Sequence, residues 1–530
     1  MSNGNSKDAG TAENNAANNT ANNAADRPAD KTAGKAAKSG FLMLIISVSL
    51  ATFMSALDGT IVNVALPTIS QDFMIPTSTV SWVSTSYLLA MAGSMLIVGK
   101  IADRAGYKKI FILGFAIFTA GSFACGFLPV LLDSFYALII ARIFQAVGGA
   151  MITAITAAMI TAYLPFEERG RAMGIIMTTA SLGMAIGPTV GGVLTQYLTW
   201  HWIFYINVPV GILAVILSGR HIPADRATDR SGFLPFDKAG SILIFAGLAS
   251  LMFWISEGST FGWTSAPMIA SFVAAVVFLG AFYVRERGCA DPILDVGLFK
   301  DRNFLLLNLL ASILFLSYSG VNYLLPFYLE YVQGFDVAFS GIVLAALSFS
   351  LMAGGLISGA LFNKIGGKRI VLCGTAVILI GYLMMTGFGI DTSLAYMVPA
   401  LFLVGLGLGM STIVINLIVN SVPRAKSGMV ASITGLERFA PMTIGIAVYN
   451  LIFVEALSYL GHRAMAVGNP VSDMAAVFKT VLAHGFEITF TVAVVFGAAL
   501  VVMAFFSRQV VHEDYITDAN RELVEKFSKR

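Results

Sequence analysis

The chain has 530 residues, of which 57% are hydrophobic and only 12% are charged, whereas a soluble domain carries roughly 25% charged residues. Such a chain has too little polar surface to stay in solution, so it belongs in a membrane. Its net charge of +3 gives no sign of nucleic-acid binding. Cys125, Cys289 and Cys373 are too far apart to suggest a metal site or a disulfide.

Residues 1–40 are rich in Ala, Asn, Asp and Lys and show no apolar periodicity. A segment of this composition cannot bury enough surface to fold, so we predict a disordered tail. The first apolar segment begins near Phe41 and is too long for the apolar part of a cleaved signal peptide. We therefore expect it to remain as the first membrane span.

A helix that crosses a bilayer needs roughly 20 mostly apolar residues. Fourteen such runs follow one another along the chain, so we predict an all-α integral membrane protein with fourteen transmembrane helices and with both termini on one side. The runs are 41–66, 80–99, 110–132, 134–162, 172–196, 202–220, 236–256, 267–285, 303–329, 337–361, 369–389, 394–420, 428–459 and 482–506.

The distribution of basic residues predicts which side that is, because Lys and Arg are enriched in cytoplasmic loops. With both termini in the cytoplasm, 29 of the 33 Lys and Arg residues fall in cytoplasmic segments. The external loops then hold only Arg463 and Lys479, and Arg142 and Arg438 lie within spans. A shift of one helix would scramble this division, so it also supports the number of spans.

An internal repeat divides the chain into two halves. Residues 99–110 read GKIADRAGYKKI and residues 359–370 read GALFNKIGGKRI, with matching glycines and basic residues. Repeated halves are a mark of secondary transporters, whose substrate sites lie between the halves. We predict a cytoplasmic tail (1–40), a six-helix bundle (41–220), an inserted helix pair with its linkers (221–302), a second six-helix bundle (303–508) and a second tail (509–530).

One acidic residue, Asp58, lies inside the first apolar run. A carboxylate in hydrocarbon costs about 2.5–3.5 kcal/mol on insertion scales, so such a residue faces a bundle interior or a water-filled path. It can serve as a structural polar contact to a neighbouring helix. It can also take up and release a proton or bind a cationic ligand.

Four stretches carry a family resemblance. Residues 57–67 read LDGTIVNVALP, residues 99–109 read GKIADRAGYKK, residues 138–149 read LIIARIFQAVGG and residues 183–192 read GMAIGPTVGG. In combination they resemble the major facilitator superfamily, in its fourteen-helix drug:proton antiporter type, from Phe41 to about Arg508. The resemblance implies two pseudo-symmetric six-helix halves and export by alternating access.

For residues 99–109, which we call the latch loop, the resemblance implies a cytoplasmic latch that favours one side of alternating access. Its glycines allow a tight turn, and Asp103 can cap a helix or pair with a basic residue. A simple anchor of positive charge would explain the lysines but not the glycine spacing. The candidate latch residues are Gly99, Asp103, Arg104, Gly106, Lys108 and Lys109.

Two further motifs concern the first half. The resemblance implies that Arg142 takes part in proton transfer or its control, with Asp58 as candidate partner. The alternative is a structural arginine bonded to backbone carbonyls.

Glycines spaced by four residues form one smooth face that a second helix can approach closely, and in the family this pattern marks exporters. The residues of that motif are Gly183, Gly187, Pro188, Gly191 and Gly192.

Residues 200–211, WHWIFYINVPVG, resemble the family's start of span six, and we interpret their aromatic residues as an interfacial belt.

In span thirteen, Arg438 matches a family arginine, whereas Glu437 departs from the pattern. Adjacent residues point about 100° apart on a helix, so Glu437 and Arg438 do not face each other well. Glu437 is a candidate second proton or cation site. We expect Glu257, Glu330, Glu455 and Glu487, nearer span ends, to be solvated.

We therefore predict proton-driven efflux of lipophilic, cationic compounds across the plasma membrane. We expect the protein to act as a monomer and to need no cofactor. The predicted proton-coupling residues are Asp58, Glu437 and Arg142. An exporter of a metabolite, peptide or siderophore is the alternative within the class, and a non-transporting sensor or scaffold is one outside it. A membrane enzyme ranks last, because no catalytic signature is present. Candidate cavity residues are Asn63, Trp254, Phe315, Tyr318, Tyr323, Phe327, Phe349 and Arg438.

Overall fold

The computed structural model describes residues 28–222, 237–288, 296–423, 427–466 and 474–516, and within these ranges it contains helices and no strand. Fourteen long helices follow the fourteen predicted runs. They are α1 (Pro28–Asp72), α2 (Trp82–Ala105), α3 (Tyr107–Leu132), α4 (Phe135–Tyr163), α5 (Phe166–Tyr197), α6 (Trp202–His221), α7 (Lys238–Phe261), α8 (Ala266–Gly288), α9 (Arg302–Phe327), α10 (Val337–Ile365), α11 (Gly367–Met385), α12 (Leu394–Asn420), α13 (Ser427–Ala466) and α14 (Met474–Phe506).

In the described part of the chain, thirteen of these helices are long and apolar enough to cross a membrane. The other is α2, which has 24 residues, several of whose side chains lie outside the described set. The predicted all-α membrane fold is confirmed.

One end of the first helix differs from the expectation. α1 begins at Pro28, so residues 28–40, which the composition assigned to a disordered tail, are helical. Ala and Lys are good helix formers, and adding residues to an existing helix avoids the cost of nucleation. The rest of the predicted tail, residues 1–27, lies outside the described residues, as do residues 517–530.

The helices pack as two groups of six joined by a pair. We call α1–α6 the first half, α9–α14 the second half and α7–α8 the inserted pair. Between the halves, α5 packs on α10 and α2 packs on α13. Helix α7 lies on both α2 and α13, whereas α8 packs chiefly on α7. The inserted pair therefore covers the seam between the halves on one side.

Polar contacts fix the inserted pair in place. The indole Nε1 of Trp82, at the start of α2, donates to Glu257 of α7 at 2.8 Å. Glu257 is buried, so the expectation that it is solvated was wrong; the indole N–H takes the place of water. Glu330 is partly buried, and its Oε1 atom is shielded from solvent by the packing of the surrounding helices, so the expectation was wrong there too. Glu455 and Glu487 are exposed as expected.

The other end of the pair is held by Asp237, which lies just before α7. Its carboxylate accepts from the Gly240 backbone N–H at 2.9 Å and from Arg285 of α8 at 2.7 Å. Burial alone would raise the pKa of Asp237, but these hydrogen bonds hold it below its ordinary value. The carboxylate therefore stays charged and ties α7 to α8.

The two copies of the sequence repeat have the same backbone conformation at one matching glycine. Gly106 joins α2 to α3 at φ 98°, and Gly366, at the same position of the second copy, joins α10 to α11 at φ 84°. L-residues with a side chain rarely adopt such angles. The two glycines therefore make equivalent turns in the two halves, as the matching positions predict.

Replacing Gly106 by alanine should lower the free energy of unfolding by about 1–3 kcal/mol, because alanine must adopt a conformation reserved almost entirely for glycine. Gly219 lies within α6, and a methyl group there would meet no atom within 4 Å. Gly219→Ala is the matched control and should be neutral or slightly stabilising. Thermal unfolding of the purified protein in detergent measures both. An equal effect at the two sites would contradict the prediction.

The two halves are joined at one end of the bundle. Because the chain crosses fourteen times, α1 begins and α14 ends at the same end, which we call the terminal end; the opposite one is the far end. At the far end, the Tyr323 hydroxyl of α9 donates to the Thr77 carbonyl at 2.6 Å. A Cβ atom on Gly192 of α5 would lie 2.6 Å from the Val337 carbonyl of α10, so these two backbones are in direct contact.

At the terminal end the same helices separate. Gly174 and Gly192 are eighteen residues apart on α5, or five full turns, so they point in the same direction. Gly341 and Gly359 are related in the same way on α10. Gly192 and Gly341 each touch the opposite helix, whereas a methyl group on Gly174 or Gly359 would meet no atom within 4 Å. The structure is therefore closed at the far end and open between α5 and α10 at the terminal end.

Candidate functional site

Helix α1 lies at the centre of the site because small residues of α5 let it approach closely. A Cβ atom on Gly183 would lie 2.6 Å from the Phe53 carbonyl of α1, and one on Gly191 would lie 2.7 Å from the Ile61 carbonyl. Gly187, between them, faces Thr60. The glycine face predicted from the four-residue spacing is therefore the contact between α5 and α1. Pro188 and Gly192 face α10 instead, so α5 connects α1 to the second half.

Asp58 lies fully buried in the middle of this packing, with 0% of its surface exposed. Its carboxylate accepts three hydrogen bonds, from Arg142 Nη1 at 2.8 Å, Gln145 Nε2 at 2.9 Å and Asn207 Nδ2 at 3.2 Å. Arg142 and Gln145 belong to α4, and Asn207 belongs to α6. The acid of α1 thus holds three helices of the first half together, and the predicted partnership with Arg142 is present.

The guanidinium of Arg142 is also buried, at 2% exposure. Besides Asp58, it donates to the Gln145 Oε1 atom at 2.7 Å and to the Val83 carbonyl of α2 at 3.2 Å. Its Cζ atom lies 4.0 Å from the centre of the Tyr87 ring, in a cation–π arrangement. Arg142 therefore binds the predicted carboxylate and a backbone carbonyl at once.

Sequence reasoning missed three polar members of this cluster. Gln145 bonds Asp58, Arg142 and the Ser122 hydroxyl of α3, at 2.8 Å for the last. Asn207 lies in a stretch assigned to an interfacial belt, yet it is buried against Asp58. A signal was available, because Gln145 lies one helical turn after Arg142 and buried amides in spans need partners. The partners themselves depend on how α3 and α6 pack on α1.

Space adjoins this cluster. Gly59, the residue after Asp58, is exposed, and a methyl group there would meet no atom within 4 Å. Since α1 is surrounded by α2, α4, α5, α6 and α9, this exposed point faces the interior of the bundle rather than lipid. Asn63, one turn further on, is partly buried and accepts from the Ser84 hydroxyl at 3.2 Å. Water in the interior can therefore come close to Asp58.

The second half places a different pair of charges in α13. Glu437 is partly buried, and its Oε2 atom has no hydrogen-bond partner among the described residues. Arg438 is exposed, with its Cζ atom 6.0 Å from the Phe315 ring centre and 5.6 Å from that of Phe439. In the described part of the chain the two charges form no ion pair with each other, as their helical positions predict.

Comparison with known proteins identifies this architecture. The family description "Major Facilitator Superfamily" matches residues 48–446, well over half of the chain. The chain belongs to the Major Facilitator Superfamily. It is 32% identical over 425 residues to the riboflavin transporter RibZ of Clostridioides difficile, covering 80% of this chain and 90% of the relative. It is 31% identical to the multidrug transporter protein MdtP of Bacillus subtilis, covering 77% of this chain and 75% of the relative.

A solved transporter structure has a similar fold. A crystal structure of a D-xylose-proton symporter superposes with a TM-score of 0.59 over 90% of this chain and 99% of that one, at 12% sequence identity. The resemblance to the superfamily proposed from the motifs is confirmed by the family match. This chain is a multi-pass membrane transporter of the superfamily and not an enzyme.

The predicted cavity residues of this superfamily member fall into separate places. Phe315 and Tyr318 of α9 lie beside Arg438. Tyr323 and Phe327 are fully buried, with ring centres 5.4 Å apart, where the far end is closed. These two therefore belong to the closure and do not line an open cavity in this conformation.

Two other predicted cavity residues have surroundings different from those of Phe315. Trp254 packs against Trp263 and Phe272, at 5.0 Å from each, within the inserted pair. Phe349 shares an exposed apolar stripe of α10 with Ile342 and Leu356, at spacings of seven residues. A stripe of this composition is typical of a surface in contact with lipid. Aromatic character alone did not distinguish these positions from cavity positions.

The latch loop of this superfamily member is described only in part. Gly106 makes the turn, Lys109 is exposed, and the Lys108 ammonium donates to the Ile222 carbonyl after α6 at 2.6 Å. The side-chain environments predicted for Gly99, Asp103 and Arg104 lie outside the described set. In this conformation Lys108 ties the loop to its own half, which agrees with the opening at the terminal end.

Proposed function

We propose that this protein exports lipophilic compounds by alternating access and that protons entering from the opposite side drive the export. The observation that supports this most is the buried cluster of Asp58, Arg142, Gln145 and Asn207, which lies beside interior space and on the helix that contacts α5. The relative MdtP is named as a multidrug transporter, which favours export. No cofactor is needed, because the gradient supplies the free energy.

Protonation of Asp58 would change how α1 packs against its neighbouring helices. In this conformation Arg142 and two amides hold the Asp58 carboxylate. A proton on Asp58 removes the charge that Arg142 binds and turns one acceptor oxygen into a donor, so the cluster must rearrange. Because α1 is packed on α5, and α5 on α10, a movement of α1 reaches the contact between the halves. Binding of a proton thereby changes the balance between the two open conformations.

The direction follows from the distribution of basic residues. With the terminal end in the cytoplasm, the conformation described here is open to the cytoplasm and able to collect a substrate from inside the cell. Both termini are then cytoplasmic, and the protein lies in the plasma membrane as a monomer. Glu437 is the second proposed proton site, since it lies within a membrane span and its Oε2 atom has no hydrogen-bond partner among the described residues.

Export of one particular metabolite is the second candidate, and the observation that favours it is the similarity to a protein named as a riboflavin transporter. A non-transporting sensor or scaffold has less support. The buried charged cluster beside interior space is expensive to maintain in a membrane and is useful chiefly for transport.

Proteoliposomes test the proposal. The parent, Asp58→Asn and the control Asp391→Asn are reconstituted in a weakly buffered medium with an imposed proton gradient. Asp391 is an exposed residue between α11 and α12. Each is challenged with fluorescein, with the cationic methyl ester of rhodamine and with riboflavin, and proton flux is followed with a pH electrode. We expect compound-driven proton flux in the parent and in Asp391→Asn, and its loss in Asp58→Asn.

The outcomes separate the alternatives. Proton flux driven by riboflavin alone would favour the metabolite exporter. Equal flux in the parent and Asp58→Asn would remove Asp58 from proton coupling and make Glu437 the next acid to test. Absence of flux with every compound would overturn proton-coupled export of such compounds.

A further inference from the structure

We propose that Arg438, Phe315, Tyr318 and Phe439 form a subsite that selects planar aromatic compounds carrying an anionic or hydrogen-bond-accepting group. This subsite, which we call the guanidinium subsite, lies in the second half. The proposal rests on the transport function proposed above and specifies the substrate class, and it departs from the lipophilic cations expected from the sequence.

The position of Arg438 directs it to the interior. Leu436, two residues earlier, packs with Ile244 of α7 and Phe282 of α8 on the outer side of α13. Two residues correspond to about 200° around a helix, so Arg438 points almost opposite to the inserted pair. On its own side it meets Phe315 of α9, a helix that packs on α1, α13 and α14. Its exposed surface therefore faces the space between the halves.

The guanidinium has no acidic partner in the described part of the chain. It makes ring contacts with Phe315 and Phe439, and its one electrostatic neighbour there is the neutral Tyr318. Glu437 points about 100° away. This contrasts with Arg142, whose charge is fully matched by Asp58 in the first half. Of the two arginines within spans, Arg142 is therefore part of a buried ion pair, whereas the charge of Arg438 is available to a ligand.

The chemistry of the site defines its ligand. A guanidinium presents N–H donors in a planar fork and stacks on aromatic rings. A substrate that displaces interior water must replace the hydrogen bonds of that water, or it leaves a charge buried without a partner, which is costly. A ligand with carboxylate, phenolate or carbonyl oxygens can do this. A ligand whose only charge is positive is repelled by Arg438, even where it carries a carbonyl oxygen.

The aromatic neighbours add a preference for shape. The Phe439 and Phe315 ring centres lie 5.6 Å and 6.0 Å from the guanidinium carbon. Flat ring systems stack on such surfaces, and their edges can then reach the guanidinium N–H groups. The Tyr318 hydroxyl supplies one further donor. A planar aromatic compound with acceptor oxygens at its edge satisfies both parts of the guanidinium subsite.

Two dyes with one skeleton test the proposal by equilibrium binding. Fluorescein and the cationic methyl ester of rhodamine share a xanthene ring system and differ in charge. Binding to the purified protein in detergent is followed by fluorescence anisotropy, which needs neither transport nor a gradient. We expect the parent to bind fluorescein at least about tenfold more tightly than the ester, since a hydrogen bond to a charged group contributes about 1.5–3 kcal/mol.

Four variants assign the effect to its groups. Arg438→Gln should weaken fluorescein binding about tenfold or more and leave the ester unchanged or bound more tightly. Arg438→Lys should keep part of the preference, because it retains the charge without the fork. Phe439→Leu should weaken both dyes, because stacking is indifferent to charge. Arg463→Gln, an exposed position on the same helix, should change neither dye.

Equal affinity of the parent for the two dyes would overturn the proposal, and so would a parallel loss of both dyes in Arg438→Gln. These results are independent of the proton-flux experiment. If Asp58→Asn abolishes proton flux while the dyes bind equally, the transport function stands and the guanidinium subsite fails. If the dyes are discriminated but none drives proton flux, the subsite stands and proton-coupled export fails.

Discussion

Arg142→Leu should destabilise the protein by about 3–5 kcal/mol, the range measured when one partner of a buried ion pair is removed. The reason is the carboxylate that remains. Asp58 is fully buried, and without Arg142 the donors left to it among the described residues are the amides of Gln145 and Asn207. Leucine also cannot donate to the Val83 carbonyl, so that carbonyl loses the hydrogen bond it accepts from Arg142. Thermal unfolding in detergent measures the loss.

The double variant Arg142→Leu with Asp58→Asn separates the ion pair from simple loss of packing. If the cost comes from the orphaned charge, the neutral asparagine removes most of it, and the double variant should be more stable than Arg142→Leu alone. Arg463→Leu, on an exposed turn of α13, is the matched control and should stay close to the parent. Additive losses in the double variant would show that Arg142 acts through packing and not through Asp58.

The sequence predicted the charged residues of the site, because a charge within a membrane span carries a high free-energy cost. A charge inside an apolar run stands out against its surroundings, so Asp58, Arg142, Glu437 and Arg438 were all found as candidates, and the pairing of the first two followed from the family resemblance. The glycine face of α5 was predicted for a similar reason, because spacing by four residues determines one side of a helix. The span positions rest on hydropathy, which a bilayer enforces strongly.

What the sequence did not predict depends on distances between helices. Asn207 and Ser122 are ordinary polar residues until α6 and α3 bring them to Asp58 and Gln145. Large aromatic residues suit lipid, core and cavity equally well, so Trp254 and Phe349 could not be told from Phe315 by type. Glu257 appeared solvated because it lies near a span end, and only the packing of α7 on α2 shows its indole partner.

We expect a bulky side chain at Gly192 to reduce transport strongly, because it destabilises the conformation in which the far end is closed. Gly192→Leu places a side chain where even a Cβ atom would lie 2.6 Å from the Val337 carbonyl and 3.1 Å from Ala338. Overpacking of this kind costs about 1–3 kcal/mol, and the cost falls only on the conformation with the far end closed. Each 1.4 kcal/mol is a tenfold change in the ratio of two conformations, so the protein should open at the far end and transport should fall.

Gly174→Leu is the matched control, because Gly174 lies on the same face of α5, five turns away, and meets no atom within 4 Å. Spin labels at Tyr197 and Asp391, exposed far-end positions in the two halves, report the separation of the halves by pulsed electron paramagnetic resonance. Gly192→Leu should move the distance distribution to longer values, and Gly174→Leu should leave it unchanged. The same shift in both variants would mean that leucine disturbs α5 as a whole. No shift in either would mean that the contact of Gly192 with α10 does not control the far end.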